Sequence, residues 1–315
     1  MSRRRGSGAL PSDWWRRHGR VASLLTAGAV LALLVVDLAA PAQLALLAFG
    51  VAVLGVPHGA LDHRLGRVLL EPRLGAAWPA VFGAAYLGLA SLVVVAWSLV
   101  PLASLVVFLA VSAIHFGLGD VRRRLSTSRL HPFEVVARGA LPILVPVWAH
   151  AGEVAVLFGW LVGDAVAPTT RQVALWASGT ALGLAPALAW VVAHHLRRAL
   201  ERRPGHAEVL AEIALLVALG VVAPPLVAFA IYFCCWHSLR HSLETMAAEG
   251  LAPRRFVRLA APLTLATLAL AAIAWTALRR VGTAVDPALV QVVFIGLAAL
   301  TVPHMILCSI DHRRP

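Results

Sequence analysis

Residues 42–60 read AQLALLAFGVAVLGVPHGA, an apolar run without an acidic residue, a lysine or an arginine. A helix of about 20 such residues crosses the hydrocarbon core of a bilayer. Similar runs recur along the chain, and together they predict an all-α, polytopic transmembrane helix bundle of about ten helices, within a range of about 8–12. The ten runs are approximately 21–40, 42–60, 78–99, 101–119, 133–150, 172–195, 207–223, 226–243, 257–277 and 287–308. A further apolar piece, 153–166, is shorter and is interpreted as re-entrant or interfacial.

The overall composition also indicates a chain that lies largely in lipid. Hydrophobic residues make up 60% of the 315 residues and charged residues only 13%. An average soluble protein carries about 25% charged residues, so a soluble core could not hide this much apolar surface. Cys234, Cys235 and Cys308 lie inside apolar runs and are interpreted as small buried hydrophobic residues rather than disulfide partners or zinc ligands.

The positive charge of the chain is carried by arginine alone. The 27 basic residues include no lysine, and against 15 acidic residues they give a net charge of +12. Arginine clusters follow the second, fourth, sixth and eighth runs, whereas the connections after the first, third and seventh runs contain none. This is the positive-inside pattern, so we expect both termini in the cytoplasm and no nucleic-acid partner. Arg279 and Arg280, after the ninth run, break the alternation.

The same pattern predicts the organisation of the chain. We expect a basic cytoplasmic segment at 1–20, a single transmembrane domain at 21–310 that holds any active site, and a cytoplasmic tail at 311–315. Such a chain would be a multi-pass protein of the cell membrane, in contact with the lipid bilayer along most of its length.

Histidines gather at the ends of the even-numbered runs. His58 ends the second run, His115 the fourth, and the pair His237 and His241 the eighth, while His304 lies late in the tenth. All five are therefore expected at one depth, near the cytoplasmic face. The i, i+4 spacing of the pair places two imidazoles on one helix face. Ionisable residues within a membrane are usually functional, and imidazole suits iron, zinc, copper and nickel, so a buried metal site is predicted.

Several neighbouring residues are candidates to support such a site. A ligating histidine usually donates its second N–H to a carboxylate or a carbonyl. The candidates for this role are Asp62, His63, Asp120, Glu244 and His304. The acidic ones have an alternative as ordinary interfacial charges beside arginines, His63 as an interfacial residue, and His304 as a ligand or a helix cap.

Other histidines are not expected to take part in chemistry. His194 and His195 end the sixth run among arginines and are interpreted as a helix end that reaches the membrane surface. His18 and His206 are assigned to a tail and a loop. Pro57 and Gly59, which flank His58, predict a break or kink in the helix there.

A metal held by neutral imidazoles inside lipid suits an apolar substrate and a small gas such as O₂. The motif His-Glu-x-x-His of membrane zinc hydrolases is absent from the sequence, as is a carboxylate pair for general acid–base catalysis. Oxidation of a lipid-soluble molecule is therefore the reaction class that we expect.

Four motifs resemble those of the Brp/Blh family, over about residues 50–310. They are Pro57-His58-Gly59-Ala60-Leu61-Asp62-His63, His115-Phe116-Gly117 with Asp120, Trp236-His237-Ser238-Leu239-Arg240-His241, and Pro303-His304-Met305. Members of this family are membrane β-carotene 15,15′-dioxygenases that make retinal for microbial rhodopsins. The resemblance implies cleavage of the central double bond of β-carotene by O₂ at Fe(II), giving two all-trans-retinal molecules. It also implies that the metal-binding, catalytic residues are His58, His115, His237 and His241.

Two other classes remain open from the sequence. A di-iron desaturase or hydroxylase would need more histidines in adjacent boxes, and His194-His195 is the only adjacent pair. A membrane transporter, or an assembly factor for a rhodopsin, would fit ten helices with kinked segments. Transporters of this size usually show inverted repeats, and none is visible in the sequence.

Overall fold

The computed structural model describes residues 12–122 and 125–312, and within these ranges every regular element is a helix. The N-terminal arginines at 3–5, the loop arginines 123 and 124, and the tail arginines 313 and 314 lie outside the described residues. The α-helices are Ser12–Leu33 (α1), Ala40–Gly50 (α2), Asp62–Leu74 (α3), Trp78–Leu99 (α4), Pro101–Asp120 (α5), His131–Ala149 (α6), Ala151–Val162 (α7), Thr170–Leu200 (α8), His206–Val222 (α9), Pro225–Ile231 (α10), Leu239–Ala248 (α11), Pro253–Arg280 (α12) and Val285–His312 (α13).

The ten apolar runs each coincide with a helix or with a continuous helical segment, which confirms the predicted number of about ten. Six segments of the described chain are long and apolar enough to cross a membrane. The short piece that was assigned to a re-entrant or interfacial position forms α7 and a following turn. The placement of both termini in the cytoplasm stays a prediction.

Two of the helical segments contain π-helical turns. The α2 helix continues through a π-helical stretch, Val51–Gly55, into a short 3₁₀ turn that ends at His58. The α10 and α11 helices are joined by a second π-helical stretch, Tyr232–Ser238. The predicted break near Pro57 is therefore confirmed, and π-helical turns are often found at functional sites.

The apolar core is built around the short helix α7. Trp97 of α4 donates its indole N–H to the carbonyl of Leu161 at 2.8 Å, which satisfies the one polar atom of a buried ring. Val154 and Phe158 pack in the same cluster. Outside this core, large apolar side chains such as Leu87, Leu182 and Leu270 are 60% exposed or more, as expected of a surface that faces lipid.

The closest helix–helix contact joins α5 and α6, and it depends on two glycines. A Cβ atom added to Gly117 would lie 1.9 Å from the carbonyl oxygen of Val135, and one added to Gly139 would lie 1.9 Å from that of Ala113. Small residues allow backbones to approach closely in this way inside membranes. The contact fixes the end of α5 that carries His115.

A buried network of charged residues lies beside the bundle core. Arg138 pairs with Glu134 at 3.1 Å and with Glu212 at 2.9 Å, and Arg122 also reaches Glu212 at 2.9 Å. Arg240 pairs with Asp120 at 2.7 Å. Because each buried charge has an opposite charge within reach, the network avoids the large cost of an isolated buried ion.

Three histidines outside the predicted metal site are buried, contrary to expectation. His195 is 0% exposed, donates Nε2–H to Glu134 at 3.1 Å and meets Nδ1 of His206 at 2.9 Å, so its assignment to the membrane surface was wrong. His206 is buried at the start of α9. His18 donates to the carbonyl of Cys235 at 2.9 Å. Glu134 lies 61 residues from His195, and Cys235 lies 217 residues from His18, so the neighbouring sequence does not indicate the burial of these two histidines.

Candidate metal centre

The five histidines at the ends of the even-numbered runs converge in the folded chain. His58 follows the first π-helical stretch, His115 lies on α5, and His237 lies in the second π-helical stretch. His241 follows one turn later on α11, and His304 comes from α13. His237 and His304 are buried, and the other three are half-buried. Five separate elements thus bring imidazoles to one place.

Two of the rings meet through nitrogen atoms. Nε2 of His115 and Nε2 of His237 are 3.0 Å apart, and the ring centroids are separated by 4.6 Å. His58 completes a group in which one nitrogen from each ring lies within 4.8 Å of the others. The Nδ1–H of His58 donates to the carbonyl of Gly55, one turn earlier, so its Nε2 lone pair is left for another partner.

A second group adjoins the first. Ligand atoms of His241, His304 and Cys308 also lie within 4.8 Å of one another. The His304 ring is 5.4 Å from that of His58, 5.3 Å from that of His115 and 5.2 Å from that of His241, centroid to centroid. The two groups are therefore neighbouring parts of one cluster.

The carboxylate of Asp62 contacts this cluster. The Nδ1–H of His304 donates to both oxygens of Asp62, at 2.9 and 3.0 Å. The hydroxyl of Tyr86, on α4, donates to the same carboxylate at 3.0 Å. Tyr86 was not among the predicted site residues, although a lone phenol within an apolar run is a signal that could have indicated it.

The other residues proposed to support the site have different surroundings. Asp120 is buried, and it accepts from Arg240 and from the hydroxyl of Tyr232, each at 2.7 Å. His63 donates Nδ1–H to the carbonyl of Ala60 at 3.0 Å. Glu244 is half-buried on α11.

Aromatic side chains wall the cluster on its apolar side. The ring of Phe233 stacks on His237 with centroids 5.9 Å apart, and Phe116 meets His237 edge-on at 4.9 Å. Phe229 stacks on Phe233 at 5.2 Å, and Phe294 contacts Phe229 at 5.0 Å. Together Phe294, Phe229, Phe233 and His237 form a row of rings that leads away from the imidazoles, which we call the aromatic row.

The donor set fits a transition-metal ion. Two nitrogens bound to one ion at about 2.1 Å, at a right angle, are separated by about 3.0 Å. The Nε2 atoms of His115 and His237 have this separation. Imidazole ligands suit iron, zinc, copper and nickel, and a His–carboxylate pair such as His304 and Asp62 is typical of metal sites. The residues therefore fit a metal, and they do not by themselves select which one.

Comparison with known proteins gives the family. The family model described as Beta-carotene 15,15'-dioxygenase matches residues 49–310, which include all five clustered histidines. The chain belongs to the beta-carotene 15,15'-dioxygenase family. The resemblance to Brp/Blh proteins is thereby confirmed. The first helix of this chain, α1, lies before the matched region.

Two curated relatives from this family are similar over most of their length. The protein named Probable beta-carotene 15,15'-dioxygenase Blh, from Halobacterium salinarum, is 32% identical over 298 residues, which cover 86% of this chain and 84% of the relative. The protein named Beta-carotene 15,15'-dioxygenase, from an uncultured marine bacterium, is 34% identical over 272 residues, covering 84% of this chain and 92% of the relative. No solved structure matches the chain.

Proposed function

We propose that this chain is a membrane dioxygenase that cleaves β-carotene at its central 15,15′ double bond, with O₂, to give two all-trans-retinal molecules. Membership of the family and the names of both relatives support the reaction. The observation that carries the proposal for the site is the convergence of imidazoles beside a row of aromatic rings. Membrane-spanning helices fit a substrate that is itself dissolved in lipid.

The metal proposed for this site is Fe(II), held by His58, His115, His237 and His241. Bound iron would supply the chemistry that activates O₂. The protein supplies position: the carbonyl of Gly55 orients His58, and the π-helical stretch presents His237 to His115. These contacts hold the imidazoles in place before any ligand arrives, which lowers the cost of binding.

The aromatic row is proposed to hold the polyene. Phe229 and Phe294 are half-buried and apolar, and their rings contact each other at 5.0 Å. A flat conjugated chain packs well against aromatic faces. Distance along the row from an end of the substrate to the imidazoles would then select which double bond is cut.

The domain organisation and the membrane location of the enzyme are also proposed. We propose a single transmembrane catalytic domain at 21–310 in the cell membrane, with both termini in the cytoplasm. Retinal released in the bilayer would be available to a microbial rhodopsin, which is the functional partner that we propose.

The first prediction is that detergent-purified protein supplied with Fe(II), O₂ and β-carotene forms retinal, measured by chromatography. His237→Ala should lose at least about 100-fold in rate, because loss of a ligand exceeds the effect of about 10–100-fold that is typical of losing an outer partner. His194→Ala is the matched control, since this histidine on α8 bonds the carbonyl of Leu125.

Three other outcomes would contradict the proposal in different ways. Longer cleavage products would retain the oxygenase and move the cut away from the centre. If the protein bound iron but left β-carotene intact, β-carotene would be refuted as the substrate. Intact β-carotene with no bound metal would refute the enzyme and favour a transporter or a rhodopsin assembly factor.

A further inference from the structure

His304 occupies a central position among the imidazoles although it comes from the last helix. Its ring lies within 5.4 Å of three others, those of His58, His115 and His241, measured between centroids. It is only 3% exposed. A histidine that merely capped α13 would sit at the helix end, whereas two further turns of helix follow it.

The two ring nitrogens of His304 have different partners. Nδ1 carries the proton, because it lies 2.9 and 3.0 Å from the two oxygens of Asp62, which can only accept when ionised. In a neutral ring this leaves Nε2 with its lone pair. An imidazole with one nitrogen donating to a carboxylate and the other unprotonated is the arrangement typical of a metal ligand.

Asp62 is itself held on more than one side. The hydroxyl of Tyr86, from α4, donates to it at 3.0 Å. A Cβ atom added at Gly59 would lie 3.9 Å from Asp62 Oδ2 and 3.9 Å from His304 Nδ1, so the backbone turn after His58 runs directly past the pair. Three elements thus position His304: α13 carries it, α3 supplies the carboxylate, and α4 supplies the phenol.

We propose that His304 is a fifth imidazole ligand of the metal, bound through Nε2 and positioned by Asp62 and Tyr86. The inference rests on the proposed function, because it takes the metal site of that proposal and adds a residue to it. Five imidazoles around a six-coordinate ion would leave one position for an external ligand, in keeping with the open position of catalytic metal sites.

Cys308 offers a competing explanation of the same geometry. Its Sγ lies 3.6 Å from Nε2 of His304, one helical turn later. If the thiol donated its proton to Nε2, the lone pair of that nitrogen would be used and His304 would only support Asp62. His304→Gln separates the two cases. If His304 is a ligand, the metal loses one imidazole in this variant, whereas if His304 only supports Asp62, the number of imidazoles on the metal stays the same.

The test uses the full-length protein loaded with Fe(II). X-ray absorption at the iron edge counts imidazole ligands, and competition with a chelator gives the iron affinity. We expect five imidazoles in the wild type and four in His304→Gln, with affinity lowered by at least about 100-fold in that variant and by about 10–100-fold in Asp62→Asn. Cys308→Ala and the control His194→Gln should match the wild type.

The outcome that overturns the inference is four imidazoles in the wild type, with the same number and affinity in His304→Gln. The wild-type count settles the matter even if His304→Gln fails to fold. Retinal formation by the same wild-type sample is measured in parallel. Retinal with four imidazoles refutes only the fifth ligand, whereas five imidazoles without retinal refute only the proposed reaction.

Discussion

The two tyrosines of the chain have parallel positions. Tyr86 donates to Asp62 and Tyr232 donates to Asp120, and each aspartate follows one of the histidine motifs within five residues. The two carboxylates nevertheless differ in their main partner, which is His304 for Asp62 and Arg240 for Asp120. Two aspartates in similar sequence positions therefore bind different partners, one a histidine and the other an arginine, because those partners come from remote helices.

At the residue scale, we predict that Asp120→Ala strongly destabilises the protein. Arg240 would lose its partner at 2.7 Å while staying 3% exposed. Breaking a buried ion pair from one side costs about 3–5 kcal/mol, and Glu212, at 3.8 Å from Arg240, should keep the loss near the lower value. Denaturant unfolding in detergent measures the change.

The matched control for this variant is Glu71→Ala, which breaks the exposed pair of Arg67 and Glu71 on α3. Exposed pairs contribute little, so its unfolding curve should overlay that of the wild type. Equal curves for the Asp120 and Glu71 variants would show that the buried network does not stabilise the fold.

At the element scale, the two π-helical stretches pack against each other. A Cβ atom on Gly55 would lie 2.7 Å from the ring of Phe233, and one on Gly50 would lie 3.0 Å from Sγ of Cys234. Each stretch ends beside a clustered histidine. A wide helical turn changes the direction in which the next residues point, so His58 and His237 face each other at a ring separation of 5.8 Å.

We predict that the close contact between α5 and α6 does not tolerate a larger residue at Gly139. Gly139→Ala would place a methyl group 1.9 Å from the backbone oxygen of Ala113, and neither backbone can yield without moving its helix. We expect a loss of at least about 1–3 kcal/mol in unfolding free energy, seen as a lower apparent Tm in detergent.

Gly88→Ala is the control on α4, because the added methyl group meets no atom within 4 Å. Alanine favours a helix over glycine, so this variant should be as stable as the wild type or slightly more so. If Gly139→Ala behaved in the same way, the close approach of α5 and α6 would be refuted.

For the whole molecule, the features that could be predicted from the sequence are those that depend on local patterns. The helices follow from apolar runs of membrane length, because that pattern is local and repeated. The grouping of the five clustered histidines could also be predicted, because the ends of the even-numbered runs share one depth in the membrane. The burial of His195 could not be predicted, because its partner Glu134 lies 61 residues away. Tyr86 stands out in the sequence as a lone phenol in an apolar run, but its partner Asp62, 24 residues away, could not be predicted. An apolar run does not distinguish a π-helical turn from an α-helical one, so the two π-helical stretches could not be predicted either.

The length of α8 predicts how this helix is placed across the membrane. The α8 helix has 31 residues, or about 46 Å, and exceeds the hydrocarbon thickness of about 30 Å. Its ends should therefore lie on opposite sides of the membrane. In intact cells, an impermeant thiol reagent should label Asp164→Cys from outside, and it should reach Arg203→Cys only after lysis.

Labelling of the unsubstituted chain sets the background from the native cysteines. If Arg203→Cys were labelled in intact cells and Asp164→Cys were protected, the orientation would be inverted and both termini would lie outside. Equal labelling of the two sites in intact cells would contradict a spanning α8.

The cations of the buried network, Arg122, Arg138 and Arg240, are all guanidinium groups, and the sequence contains no lysine at all. Aldehydes condense readily with the amine of lysine to form imines, a reaction that the charged, delocalised guanidinium does not offer. An enzyme that releases two aldehydes per turnover would be exposed to covalent capture by its own product. A chain without side-chain amines closes that route, so no side chain of this protein can hold retinal as an imine.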